Sequence, residues 1–310
     1  MGRGTVPHDS PEFLNRSRRD ALEKIDCILL AGTLLDFRMR FGQTIPADAK
    51  IIQLDMDATL IGQNRQADVP LVGNLGCTFE ALSEELKNQG VQLDFSDWRD
   101  ALRAIEVEAE SKVEANLNSD EVPIDPQRMC REVRDWLDTM ERPIVIGDGG
   151  DIVATSAKII PVKGEGAWMD PGPLGTLGVG MPFAMAAKLA HPDRPVVIIY
   201  GDGSFGFNGF EYDTAVRFGL PIIGIVGNDG AWGQMMRPQG AIYGWDRLEG
   251  VLLNRTRYDK VVEALGGHGE HVTEPDQLRP ALERAAASGL PALINVEIRQ
   301  DREYGGGIYV

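Results

Sequence analysis

Two apolar runs that each end in a polar, glycine-containing turn constrain the fold of this chain more than any other feature. Residues 195–200 lead into Gly-Asp-Gly-Ser-Phe-Gly at 201–206, and residues 220–226 lead towards Asn-Asp-Gly at 228–230. Short buried strands that alternate with helical patterns are typical of a parallel sheet. Open sheets of this kind bind ligands at the carboxyl ends of their strands. We therefore expect Asp202 and Asn228 to lie together at that edge.

The residue types at this edge indicate a metal ion. The carboxylate of Asp202 and the amide of Asn228 are hard oxygen ligands, which suit a magnesium ion that also holds phosphate groups. The run at 201–206 also matches the G-x-G-x-x-G pattern of dinucleotide sites, with Asp229 close to the expected position of a ribose-binding acid.

The charge of Asp202 argues against a dinucleotide site. In such a site the pyrophosphate rests on bare backbone amides at a helix N-terminus. A carboxylate in the turn would repel that phosphate unless a divalent cation stood between them. We therefore favour a metal–diphosphate site over a nicotinamide site, and a turn without any ligand is the third interpretation.

The Gly-Asp-Gly segment and the Asn that follows it resemble the signature of thiamine-diphosphate (ThDP) enzymes. The resemblance implies that Asp202 and Asn228 bind Mg2+ through their side chains and that the carbonyl group of Gly230 is the third protein ligand. It also implies that the next residues open a helix whose backbone amides face the diphosphate, namely Gly203, Ser204 and Phe205.

A second segment, Leu-Gly-Thr-Leu-Gly-Val-Gly-Met-Pro at 174–182, is similar to the Leu-Gly-Thr-Met-Gly-x-Gly-Leu-Pro segment of acetolactate-synthase-like enzymes. The resemblance implies that Leu177 props the bound cofactor into a bent shape, which makes Leu177 the expected catalytic residue. The carbonyl of Gly175 and the amide of Leu177 would then hold the aminopyrimidine, while the cofactor supplies the chemistry. The alternative is a glycine-rich turn that enters a packed helix.

Further candidates lie in two other loops. Gly149 and Gly150, in Ile-Gly-Asp-Gly-Gly-Asp at 146–151, either touch the diphosphate, as the equivalent family loop does, or form only a turn. Ala231 and Trp232 are expected cofactor-binding residues, and residues 232–237 are expected to border the substrate pocket. Core packing is the alternative for Trp232 and Met236. Arg237 either pairs with a carboxylate or a CoA phosphate, or is solvated.

Periodicity divides the chain into two Rossmann-like α/β domains with parallel sheets, at 1–118 and 119–310. The polar, proline-containing segment 116–126 is the expected linker. We expect strands near 27–32, 51–55, 143–146, 196–200, 221–226 and 292–297, with His268 and His271 flanking a strand. We expect helices near 78–87, 98–115, 127–140, 179–190, 207–218, 257–265 and 275–288.

Composition limits the possible partners and locations. The formal net charge of −16 argues against nucleic acid or an anionic membrane, so a metal ion and local dipoles must hold an anionic cofactor. No signal-peptide pattern and no long apolar run is present. Cys27, Cys77 and Cys130 are widely spaced and odd in number, so we expect buried thiols in a cytoplasmic protein.

The first domain resembles the later part of the central domain of 2-hydroxyacyl-CoA lyases, oxalyl-CoA decarboxylases and acetolactate synthases, through segments at 2–7, 26–32, 55–57 and 61–64. It is therefore expected to be incomplete relative to the family and to lack the pyrimidine-binding domain that precedes it in relatives. Residues 32–38 differ from the Arg-Phe-Asp-Asp-Arg of flavin-containing relatives, so no structural flavin is expected.

The absent domain carries the family glutamate that hydrogen-bonds N1′ of the aminopyrimidine. Glu165 is the acid nearest in sequence to the cofactor motifs, but it does not align with that glutamate. We therefore expect a partner subunit with a pyrimidine-binding domain, in a homo- or hetero-oligomer, unless the sequence is a truncated fragment.

These resemblances imply a ThDP- and Mg2+-dependent lyase that splits a 2-hydroxyacyl-CoA into formyl-CoA and an aldehyde or ketone, or catalyses the reverse carboligation. The enzyme alternative is a 2-oxoacid decarboxylase or an acetolactate-synthase-like enzyme. The non-enzyme alternative is a catalytically silent ThDP-binding regulatory or assembly subunit. The glycine-rich tail at 303–310 either closes over the cofactor as a lid or is disordered.

Overall fold

A computed structural model describes residues 3–302, which form two compact units. The smaller unit comprises residues 14–110, and the larger unit comprises residues 3–13 and 111–302. The lid expected at 303–310 lies outside the described residues. No helix within 3–302 is both long enough and apolar enough to cross a membrane. The domain boundary expected at 118/119 stays a prediction.

The smaller unit is built on a three-stranded parallel sheet in the order β1-β2-β3. Its core comes from alternating apolar residues such as Leu30 and Ile51, which pack with Leu22 and Leu35. A buried carboxylate, that of Glu106, accepts hydrogen bonds from the backbone N–H groups of Arg16 and Ser17. The elements are α1 (Arg18–Lys24), β1 (Cys27–Ala31), β2 (Lys50–Asp55), β3 (Val69–Val72), α2 (Leu75–Asn88) and α3 (Ser96–Leu117), whose last residues belong to the larger unit.

The larger unit is built on a six-stranded parallel sheet in the order β5-β4-β6-β7-β9-β8. The strands are β4 (Ile144–Asp148), β5 (Trp168–Met169), β6 (Val196–Gly201), β7 (Ile223–Asn228), β8 (His268–Val272) and β9 (Ala292–Glu297). The helices are α4 (Pro126–Leu137), α5 (Asp151–Ile159), α6 (Gly180–Ala190), α7 (Asp202–Asn208), α8 (Tyr212–Arg217), α9 (Gly233–Tyr243), α10 (Tyr258–Ala264) and α11 (Pro275–Ala287).

The central strand β6 is apolar throughout because both faces of the sheet are covered. Val197 and Ile199 belong to one buried cluster, and Ile198 and Tyr200 belong to another, as the two-residue period of a strand requires. The expectation of an α/β fold with two parallel sheets is therefore confirmed.

Several expected elements differ from the structure. The helix that periodicity placed at 207–218 begins at Asp202, close to the start that the family resemblance implied at 203–205, and it is divided into α7, a 3-10 turn (Gly209–Glu211) and α8. The helices α1, α5 and α9 were not predicted. The turn expected at 146–151 ends with the start of α5 at Asp151. The helix α9 contains Pro238, which argued against a helix there.

Two smaller expectations are wrong, those for the histidines and for two of the three cysteines. His268 and His271 lie within β8 rather than beside a strand. Cys27 and Cys77 are exposed, and Cys130 is buried as expected. The expected linker 116–126 is partly ordered into the larger unit, because Ile124 is fully buried and pairs as a parallel bridge with Ile298.

Candidate functional site

The structure places Asp202 and Asn228 at the carboxyl ends of neighbouring strands. β6 and β7 are paired and parallel, with Gly201 opposite Gly227. Asp202 begins α7 directly after β6, and Asn228 is the last residue of β7. Both residues are buried, at 2% and 0% exposure. The strand pairing therefore brings the two expected side-chain ligands to one edge of the sheet.

The carboxylate of Asp202 holds the turn that follows β7. Its Oδ2 atom accepts hydrogen bonds from the N–H groups of Gly230, at 2.8 Å, and Ala231, at 3.2 Å. Its Oδ1 atom accepts one from the N–H of Gly203 at 2.8 Å. Asp202 thus contacts the backbone of the segment that contains the third expected ligand.

The amide of Asn228 has an oxygen atom with no protein partner. Its Nδ2 atom donates to the backbone oxygen of Thr256 at 3.0 Å and to Oδ1 of Asn295 at 3.1 Å. Its Oδ1 atom is buried and has no hydrogen-bond donor among the described residues. Buried polar atoms are rarely left unpaired. A divalent cation bound to this amide oxygen would supply the missing partner.

Gly230 is less free than the other two expected ligands. Its φ angle of +70° favours glycine, and its carbonyl oxygen accepts a hydrogen bond from Leu253 N–H at 2.7 Å. The same oxygen lies 3.5 Å from Gln300 Nε2, which donates more closely to the carbonyl oxygen of Asp229, at 3.0 Å. The second lone pair of the Gly230 oxygen is therefore only weakly engaged, and a metal ion could take it.

Buried carboxyl groups accumulate negative charge at this edge. Burial raises the pKa of Asp202 to about 6, against the opposing effect of the backbone hydrogen bonds that its carboxylate accepts. Burial and the charge of Asp202 raise the pKa of Asp229 to about 7. A cation would stabilise both ionised forms. Within 3–302 no group of three or more His, Cys, Asp or Glu side chains has metal-binding geometry, so a metal site here must use amide and carbonyl oxygens.

The loop at 148–150 packs against the start of α7. The hydroxyl of Ser204 donates to the backbone oxygens of Asp148 and Gly201. A β-carbon at Gly149, whose φ is +148°, would lie 2.9 Å from Gly201 N. A β-carbon at Gly150 would overlap the side chain of Gln234. Both glycines therefore allow a close approach of this loop to its neighbours.

Asp148 also fixes the segment that carries Leu177. Its carboxylate accepts hydrogen bonds from Gly178 N–H at 3.0 Å and Gly180 N–H at 2.7 Å, and Asn208 donates to the Gly178 carbonyl. Leu177 is half-buried, and Gly175 ends a 3-10 turn with a φ of +63°. Asp148 thus contacts three of the four expected cofactor segments, because it precedes Gly149, its backbone oxygen accepts a hydrogen bond from Ser204, and its carboxylate holds the segment at 178–180.

The remaining expected residues pack close by. The ring of Phe205 lies in the core, 5.5 Å from the ring of Tyr200 and 4.9 Å from that of Tyr258, so only its backbone can face a ligand. Trp232 lies against Gly203, where a β-carbon would approach its ring within 2.7 Å. Ala231 is buried in a small apolar cluster with Met236, which confirms the core alternative for Met236.

Arg237 is not solvated, so that alternative is wrong. Its side chain is largely buried and forms an ion pair with Asp151. Burial raises the pKa of Asp151, and the positive charge of Arg237 opposes that shift.

Sequence reasoning missed Asp148, Asn208 and Asn295. Asp148 is the last residue of β4, just as Asn228 is the last residue of β7. The expectation that ligand sites lie at the carboxyl ends of parallel strands was therefore enough to identify Asp148 as a candidate. Asn295 lies in the middle of β9, where an amide in an otherwise apolar strand was the available signal.

Comparison with known protein families identifies the family of this chain. Residues 1–82 match the model of the thiamine pyrophosphate enzyme central domain, and residues 148–296 match that of the thiamine pyrophosphate enzyme C-terminal TPP binding domain. The chain belongs to the thiamine-pyrophosphate enzyme superfamily. The second match spans every expected site residue from Gly149 to Trp232, which supports thiamine diphosphate as the cofactor.

The chain is similar to relatives with two kinds of name. It is 40% identical to a "Probable acetolactate synthase" of Mycobacterium bovis, over 96% of this chain and 53% of that protein. It is 37% identical to "2-hydroxyacyl-CoA lyase 2" of Caenorhabditis elegans and 32% identical to that of Homo sapiens, in both cases over 100% of this chain and 50% of the relative. The chain thus spans about half the length of these relatives.

Proposed function

We propose that this chain is the ThDP- and Mg2+-binding part of a carbon–carbon lyase that acts on 2-hydroxyacyl-CoA. The products would be formyl-CoA and an aldehyde or ketone, or the reaction would run in reverse as a carboligation. The observation that carries the proposal is the unpartnered Oδ1 atom of Asn228 beside the Asp202 carboxylate. The similarity to proteins named 2-hydroxyacyl-CoA lyase 2 supports the choice of reaction. A cytoplasmic location is part of the proposal.

Asp202, Asn228 and Gly230 would hold the Mg2+ ion. Asp202 provides the negative charge, Asn228 the unpartnered amide oxygen and Gly230 the second lone pair of its carbonyl oxygen. The ion would stabilise the ionised forms of Asp202 and Asp229, whose pKa values burial raises. The chain has a net charge of −16, and this local cation would offset the electrostatic repulsion between the protein and an anionic cofactor.

Backbone groups around α7 would hold the diphosphate. The N–H group of Ser204 lies in the first turn of α7, where it has no partner within the helix, whereas the N–H of Phe205 is placed to donate to the carbonyl of the N-cap residue Gly201. Gly203 already donates its N–H to Asp202, so we propose that it contributes by allowing Trp232 to pack closely. Gly149, Gly150 and Ala231 would line the same region.

The loop at 174–180 would hold the aminopyrimidine through the carbonyl of Gly175 and the amide of Leu177. When bound, ThDP supplies a nucleophilic carbon and accepts the electron pair that develops beside a carbonyl group. Leu177 would support the bent cofactor, and Asp148 keeps the Leu177–Gly178 peptide in place. A partner subunit with a pyrimidine-binding domain would supply the glutamate that contacts the aminopyrimidine.

Two other functions remain candidates. The 40% identity to an acetolactate synthase favours a 2-oxoacid as the substrate. A catalytically silent ThDP-binding regulatory or assembly subunit has the same cofactor site without turnover.

Product analysis separates the three functions. The chain is incubated with ThDP and Mg2+, alone and together with a separately expressed pyrimidine-binding domain of a full-length relative. We expect formyl-CoA from a 2-hydroxyacyl-CoA. Release of CO2 from a 2-oxoacid without CoA supports the acetolactate-type alternative, and ThDP uptake without either product supports the silent subunit.

A further inference from the structure

The amide of Asn228 is held in one orientation by two hydrogen-bond acceptors. Its Nδ2 atom lies 3.0 Å from the backbone oxygen of Thr256 and 3.1 Å from Oδ1 of Asn295. A carbonyl oxygen accepts hydrogen bonds and cannot donate them. The reversed amide would place Oδ1 against these two oxygens and leave the Nδ2 hydrogens without partners. This environment therefore keeps Oδ1 on the unpartnered side.

The orientation of Asn295 is itself fixed by groups that only accept. Its Nδ2 atom donates to the Thr256 oxygen at 3.2 Å and to Oδ1 of Asp259 at 3.4 Å. An ionised carboxylate has no hydrogen to donate. Asn295 must therefore direct its own oxygen at Asn228. Asn295 and Asp259 are each 1% exposed, so water does not compete for these bonds.

Arg257 keeps the Asp259 carboxylate ionised. Its Nε and Nη2 atoms lie 2.9 and 2.6 Å from the two carboxylate oxygens. Burial alone would raise the pKa of Asp259, but the hydrogen bonds and charge of Arg257 outweigh burial, and the pKa lies below its ordinary value. The chain of contacts thus runs from Arg257 through Asp259 and Asn295 to Asn228.

We propose that Asn295 and Asp259 are positioning residues that direct the Asn228 oxygen at the divalent cation. The inference rests on the proposed function, in which Asn228 binds that ion. Neither residue touches the cation. Asn295 acts through the Asn228 amide, and Asp259 acts through Asn295, so the effect of substitution should decrease in that order.

The test measures the Mg2+ concentration that half-saturates ThDP binding to the full chain, by calorimetry. Asn295→Leu removes the acceptor at nearly constant volume. Loss of a residue that orients a metal ligand costs roughly 10–100-fold in metal affinity, and we expect an increase of that size in the Mg2+ requirement. Asn295→Ser, which keeps a hydroxyl group, and Asp259→Asn should give smaller increases. At saturating Mg2+ the amount of ThDP bound should return to that of the unsubstituted chain.

Val296→Ala is the matched control. Val296 is fully buried on the same strand, and its side chain belongs to an apolar core cluster, on the opposite face of the strand from the Asn295 side chain. It should destabilise the fold without changing the Mg2+ requirement. An unchanged Mg2+ requirement in folded Asn295→Leu or Asn295→Ser would overturn the inference. Failure of the unsubstituted chain to bind ThDP at any Mg2+ concentration would instead overturn the proposed function.

Discussion

Polar residues follow parallel strands in both sheets of this protein, but their hydrogen bonding differs. In the three-stranded sheet, Asp55 ends β2 and accepts a hydrogen bond from Asp57 N–H at 3.0 Å. Asn74 follows β3 and accepts one from Cys77 N–H at 3.2 Å, as the N-cap of α2. These side chains satisfy nearby backbone groups and lie at or near the surface.

In the six-stranded sheet the corresponding residues are buried and contact other loops. Asp148 holds the segment at 178–180, Asp202 holds the turn at 230–231, and Asn228 keeps an unpartnered oxygen. A polar residue at a strand end is therefore a weak signal by itself. Burial together with unused hydrogen-bonding capacity distinguishes a ligand site from a cap.

The largest effect expected from this comparison is the loss of cofactor binding. Asp202→Ala should weaken Mg2+-dependent ThDP binding by more than about 100-fold, because it removes the charged ligand itself. Asp55→Ala, at the end of β2, should leave binding unchanged. Calorimetric titration with ThDP measures both. Equal losses in the two variants would remove the distinction between the two sheets.

The pH dependence of stability should reveal the buried carboxyl groups beside the six-stranded sheet. The raised pKa values of Asp202 and Asp229 mean that the folded state binds more protons than the unfolded state between about pH 4 and pH 7. Stability of the metal-free chain should therefore fall as pH rises through this window, by up to about 3 kcal/mol for Asp202.

Urea unfolding in EDTA at a series of pH values measures this slope. Asp202→Asn should reduce the slope, and Mg2+ with ThDP should reverse it. A slope that is the same in Asp202→Asn and in the unsubstituted chain would show that the burial of Asp202 has no such effect.

Turnover should test the segment that Asp148 holds. Leu177→Ala should leave Mg2+ and diphosphate binding intact but slow turnover of the assembled enzyme on the order of 10–100-fold, because a misplaced cofactor reacts slowly. Leu189→Ala, an exposed position on α6, is the control. Equal rates for Leu177→Ala and the unsubstituted enzyme would exclude the supporting role of Leu177.

The smallest effect is expected at a cap. Asn74→Ala should lower the free energy of unfolding by about 1 kcal/mol, because the N-cap hydrogen bond to Cys77 is lost. ThDP binding should not change. A large effect on ThDP binding would mean that the end of β3 also contributes to the cofactor site.

The strand-end pattern predicted the sheet edge and the proximity of Asp202 and Asn228, because both follow from local periodicity and parallel pairing. The contact of Asp148 with Gly178 and Gly180 could not be predicted in this way, since these two glycines lie in a loop and at the start of α6 rather than at the end of a strand. The helix α9 was missed because Pro238 and the preceding glycines resemble a loop. The hydrogen bonds that join Asp259 to Asn228 through Asn295 depend on side-chain orientation, which residue spacing does not predict.

The exposed cysteines show a second limit. The odd number and wide spacing of the three cysteines predicted free thiols, but they do not predict burial. Burial of Cys27 and Cys77 depends on which face of the strand or helix meets the core. His268 and His271 were predicted to flank a strand but lie within β8. A short strand with polar residues has no alternation of apolar residues that would mark its ends.

The proposed cofactor site depends on one divalent cation that links the Asp202 and Asn228 side chains to a diphosphate at the carboxyl ends of β6 and β7. Calorimetric titration of the unsubstituted chain with ThDP, in Mg2+ and in EDTA, measures whether this cation is required. We expect saturable binding with Mg2+ and none in EDTA. Equal affinity in both conditions, or no binding in either, would exclude a cation-linked site.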